Sequence, residues 1–192
     1  MTSKSLLVGA LSIGAIIAIA GCGAASTPTP TASSGGLLPN IPGLGGGSTG
    51  SAPAANTLLT AADVQSISGD AGVTALTGAC SATTCIYSDT TGSGGGGGVI
   101  FVEPFPGGFG QAALQAAIAT ALSGQASSNG GSAVTVSGLG SGGIKEIEAS
   151  SVTYAFVKDN YLVVLNVSSG TKSGADMDSQ VGAAAQTVAG SL

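Results

Sequence analysis

Two runs of β-branched and aromatic residues, Val152 to Lys158 and Tyr161 to Val167, are separated only by Asp159-Asn160. A two-residue connection fixes register. A type I′ turn takes positive φ at both positions, which Asp and Asn tolerate, and every cross-strand partner then follows. Phe156 falls opposite Val163, Tyr154 opposite Leu165, and Val152 opposite Val167, so these six side chains share one face. Lys158 is left beside Tyr161 near solvent. Leu162 and Val164 make the other face apolar as well. Such a hairpin must be covered by a second layer, and the flanking sequence supplies helices.

Thr60-Ala-Ala-Asp63 has the pattern of a capping box, with Leu59 and Val64 spaced as a hydrophobic staple and Gly69 as the stop. A second helix is expected from about Phe109 to Leu122, where Leu114, Ile118 and Leu122 recur every four residues among alanines. The closing helix begins near Ser173-Gly-Ala-Asp176, a second cap of the same kind. Its inner stripe is expected to be Met177, Val181, Ala184, Val188 and Leu192. Short strands are expected at Ile86 to Asp89, Val99 to Glu103, Val134 to Val136 and Ile144 to Glu148. The predicted fold is α+β: a mostly antiparallel sheet of about five or six strands with three helices packed mainly on one face. Residues 57–192 form this one domain, long enough for a single core.

The preceding residues have a different character. Lys4 and the amino terminus provide a positive start, Leu6 to Ala20 an apolar run, and Ile19-Ala20-Gly21-Cys22 closes it with the pattern of a bacterial lipobox. The run is short for a membrane-spanning helix and is interrupted by Gly9 and Gly14. Residues 1–21 therefore read as a lipoprotein signal peptide, and Cys22 as the lipidated first mature residue. An ordinary secretory signal with an incidental cysteine is the alternative. From Gly23 to about Asn56 the chain is rich in Gly, Ser, Thr, Ala and Pro and carries no charge, so residues 22–56 form the lipidated cysteine and a linker. The expected location is the extracytoplasmic face of the bacterial cell membrane, with the anchor as the link to the membrane.

Cleavage would remove Lys4 and leave Lys145, Lys158 and Lys172 against nine acidic residues. With no arginine and no histidine, the chain lacks the electrostatic footprint of a nucleic-acid binder. It also cannot assemble a Ser-His-Asp or Cys-His centre. If Cys22 is lipidated, Cys80 and Cys85 remain as a pair, and we expect a disulfide that staples a local turn.

Leu59-Thr-Ala-Ala-Asp-Val64, Cys85-Ile-Tyr87 entering a strand, Val136-Ser-Gly-Leu-Gly140, and the final hairpin and helix together resemble uncharacterised exported lipoproteins of high-GC Gram-positive and related bacteria. More loosely, the domain is similar to extracytoplasmic sensor domains of bacterial serine/threonine kinases. The chain departs from the pattern at Ser141, where those lipoproteins often carry an acidic residue, and in its close cysteine spacing. The resemblance implies an α+β ligand- or partner-binding domain outside the membrane, with no catalytic residues to carry over.

Several short motifs invite chemistry and are better explained otherwise. Ser169-Gly-Thr-Lys172 matches S-x-x-K and Lys172-Ser-Gly174 matches K-[ST]-G, but one lysine cannot serve two motifs that face each other across a cleft. Phe105-Pro-Gly-Gly-Phe-Gly110 looks like an anion cradle but lacks the P-loop lysine. Glu146 and Glu148 share one strand face and are read as a solvated face, too few oxygens to hold Ca²⁺. No catalytic, cofactor or metal residue is assigned. The expected function is non-enzymatic binding or sensing of a small apolar molecule, a lipid or an envelope protein. The alternative is an accessory envelope protein acting through protein or cell-wall contacts.

Overall fold

The final hairpin forms with the register that its turn dictates. Asp159 and Asn160 both have positive φ, 47° and 69°, and Phe156 pairs with Val163, Tyr154 with Leu165, and Val152 with Val167. The computed structural model describes residues 53–92, 94–104, 116, 118–120, 132–140 and 142–192, all within the unit Ser48–Leu192.

Along the chain lie α1 (Ala55–Leu58), α2 (Ala61–Ser68), β1 (Val73–Ala75), β2 (Thr84–Asp89) and β3 (Gly97–Pro104). They are followed by β4 (Ser132–Val136), β5 (Gly143–Ile147), β6 (Ser151–Lys158), β7 (Tyr161–Ser168) and α3 (Gly174–Ser191). All strands pair antiparallel in one seven-stranded sheet of order β1-β2-β3-β7-β6-β5-β4. The α+β, antiparallel reading therefore holds, with one strand and one helix, the four-residue α1, more than expected. The extra strand, β1, is three residues long with a single buried side chain, Val73, and so carries no alternation to read.

Helices α1 to α3 cover one face. Their apolar residues, among them Leu59, Val64, Met177 and Val181, join Phe156, Ile100, Leu165 and Val163 in a common core. Both capping boxes form: Thr60 with Asp63 on α2, and Ser173 with Asp176 on α3. Gly69 ends α2 in the left-handed conformation, at φ 75°. One expectation shifts by a residue. Ala185, fully buried, takes the place on α3 expected for the half-buried Ala184. Ahead of Thr57, Ala55 is fully buried and its N–H donates to Ala82 O at 3.0 Å.

Of the helix expected over residues 109–122, the described positions Ala116 and 118–120 are helical. They border a hollow with Ile144 and Ala155, which face away from α1 to α3 because Lys145 and Phe156, their strand neighbours, point toward that layer. This helix thus lies across the sheet from the other three, where Ala155, Val157 and Val164 are also buried.

α3 starts hard against the β5–β6 turn. A Cβ at Gly174 would stand 2.2 Å from Glu148 O and 2.6 Å from Ser151 O, backbone atoms that cannot swing aside. We predict that Gly174→Ala destabilises the domain by about 1–3 kcal/mol. Gly190→Ala, with nothing within 4 Å of the added carbon, should be neutral or stabilising by up to about 1 kcal/mol. Urea unfolding of the two variants checks the contrast.

Candidate functional site

A hollow of about 310 Å³ lies on the sheet face opposite α1 to α3. Ala116, Ile118 and Ala119 border it from the helical segment, and Ile144, Ala155 and Thr135 from β5, β6 and β4. It arises because the sheet rows here carry small or flat residues. Ala155 pairs with Ile144 on one side and Val164 on the other, so a short side chain sits between two branched ones. The lining is mostly hydrocarbon, and the volume falls within the range of small-ligand sites.

Two residues further along β5, on the same face, stands Glu146. Its position opposite Thr153 follows from the register that places Ile144 opposite Ala155. The sequence reading of Glu146 and Glu148 as a solvated pair is overturned, since Glu146 is 1% exposed. Burial, then the neighbouring Glu148 charge, pushes its carboxyl from an ordinary 4.5 up to about 7. Its Oε1 has no hydrogen-bond partner among the described residues. Glu148 accepts from Ser151 Oγ at 2.6 Å. In the same cross-strand row as Glu146, Asn166 Nδ2 donates to Thr153 Oγ1 at 2.8 Å. The sequence carried no signal for this burial, because period two assigns a side chain to a face but not to the layer above it.

Ser169 and Lys172 are brought close in the chain but face different tasks. Ser169 Oγ donates to Ser68 O at 2.7 Å and accepts the N–H groups of Thr171 and Lys172. Lys172 Nζ donates to Ser66 O and Ile67 O, carbonyls in the last turn of α2. Together they latch the β7–α3 connection onto the end of α2. Cys22 and the Phe105–Gly110 segment lie outside the described residues.

The other side chains singled out above build structure. Cys80 and Cys85 are disulfide-bonded, closing the turn into β2. The glycine run before β3 is tied down by two carboxylates. Asp89 accepts the N–H groups of Thr91, Gly92, Gly94 and Gly95, and these bonds, Gly94's foremost, hold it below the usual carboxylate range. Asp70 bridges Gly72 and Gly96 at 2.9 Å each, and a Cβ at Gly96 would meet Asp70 Cβ at 2.8 Å. On the α3 side of the sheet, Asp178 joins Lys145 and the Tyr154 hydroxyl. Against the effect of burial, those two bonds keep Asp178 ionised below its normal range. Among the described residues, no group of three or more His, Cys, Asp or Glu is arranged to hold a metal ion.

Two predictions follow from these contacts. Glu146 stabilises the fold as a neutral acid, so its contribution is complete below about pH 4.5 and is lost as pH rises through about 7. Asp89 and Asp178, held low, act in the opposite sense and lose their contribution as the pH falls below the carboxylate range. Stability should therefore peak on the acid side of neutrality. Glu146→Gln should flatten the alkaline limb, by up to about 3 kcal/mol at pH 8, in urea titrations across pH. Separately, Ser169→Ala leaves the buried Ser68 carbonyl and two N–H groups without their partner and should cost about 1–3 kcal/mol, read by thermal unfolding.

No family model matches the chain, and no curated protein or solved structure does either.

Proposed function

We propose that this protein is a lipid-anchored extracytoplasmic binding protein that holds a small apolar molecule against the second face of its sheet. The observation that carries the reading is the hydrocarbon-lined hollow bordered by Ile118, Ile144 and Ala155. Supporting it, Ile19-Ala20-Gly21-Cys22 closes an apolar run at the N terminus, and the uncharged linker after it fits a domain held off a membrane. The Cys80–Cys85 disulfide fits an oxidising compartment. Ser169 and Lys172, the residues nearest to a catalytic motif, spend their polar atoms on backbone groups, which favours binding over catalysis.

One observation favours a second reading, an accessory envelope protein working by contact. Leu76 and Ile86, 36% and 39% exposed, sit side by side, with Leu76 N–H donating to Ile86 O at the β1–β2 edge. The two readings separate in one experiment, native mass spectrometry of the protein purified from its own host. Binding predicts a discrete added mass that is lost on denaturation and missing from Ala155→Phe, whose ring would fill the hollow. A clean apo mass in the unaltered protein would overturn the binding reading in favour of contact through Leu76 and Ile86.

A further inference from the structure

Glu146 is a buried acid with an acceptor oxygen left open, and none of the described residues supplies a cation to it. The domain has three lysines. Lys145, its neighbour in sequence, points to the opposite face and binds Asp178 at 2.5 Å. Lys158 pairs with Asp159 at the hairpin turn, and Lys172 is bound to the end of α2. Glu148 stands beside Glu146 as a second carboxyl, and Glu103 faces the same side from β3. Along β5, Glu146 lies two residues from Ile144, a separation of about 7 Å in a strand. An apolar hollow and a buried carboxyl with an open oxygen therefore occupy consecutive rows of one sheet face.

From this juxtaposition we propose that Glu146 is the polar anchor of the hollow, and that the molecule taken there is an apolar chain ending in a protonated amine. The proposal rests on the hollow being a ligand site and adds the ligand's chemistry. An ammonium brings three donors and a positive charge. It satisfies the open Oε1 and relieves the repulsion between the two carboxyls in a single contact. A hydroxyl head would supply the donor without the charge. A carboxylate head would bring a further negative charge up against the Glu146–Glu148 carboxyls.

The test uses the full-length protein and three probes with one hydrocarbon chain, octylamine, octanol and octanoate, titrated calorimetrically at pH 7 below their aggregation limits. Octylammonium should bind at least about tenfold more tightly than octanol, with octanoate weakest. Glu146→Gln should remove most of the amine's advantage while leaving octanol within about twofold. Equal binding of octylamine and octanol overturns the proposal but leaves the hollow as an apolar site. So does an amine preference that survives Glu146→Gln. Failure of all three probes, or affinities that Ala155→Phe does not change, overturns the hollow as a ligand site and the proposal with it. The probe ranking is read on the unaltered protein, so it stands even where a variant folds poorly.

Discussion

The pairing of β3 with β7 holds two halves of the chain together. Eight residues of β3, Gly97 to Pro104, run against Tyr161 to Ser168, across a long separation in sequence. On one side of this seam Ile100 meets Leu165 and Val102 meets Val163, all essentially buried. On one flank β1 and β2 extend the sheet from β3, and on the other β6, β5 and β4 extend it from β7. α3 follows β7 directly and packs back over the seam, adding Met177 and Val181 to the same core. Closing so long a loop costs entropy before any contact forms, so the seam must recover that cost through dense apolar pairing.

Local chemistry was legible wherever a few consecutive residues determine it. The Asp159-Asn160 turn set every pair of the β6–β7 hairpin, and Thr60 with Asp63 and Ser173 with Asp176 marked the starts of α2 and α3 to the residue. Cys80 and Cys85 were paired by arithmetic. The strand order was not legible, because nothing in the sequence of β3 names β7 as its partner. Short elements escaped for a related reason. α1 has four residues and β1 three, fewer than a period needs to reveal itself.

The candidate site was legible only in fragments. Leu162 and Val164 announced that the hairpin's second face was also apolar, and the four-residue recurrence around Ile118 announced a helix. That this helix belongs over that face depends on the path of the whole chain. Glu146 is the sharpest case: its carboxylate, read alone, belongs in water, yet the fold buries it in the row beyond Ile144. Asp70 and Asp89 carry the opposite lesson. The glycine run they organise reads as featureless, but its value lies in N–H groups that a bulkier backbone could not bring so close to a carboxylate.

The entry of the chain into the domain has a mechanical meaning. Ala55, at the start of α1, donates its N–H to Ala82 O, and Ala82 lies inside the ring closed by the Cys80–Cys85 bond. A pull on the N-terminal end is thus delivered to a covalently closed turn at the head of β2, on the face that α1 to α3 cover. The hollow lies on the opposite face and outside that load path. Tension applied at that end would be borne at the root of the domain, away from the surface beside Ile144 and Glu146.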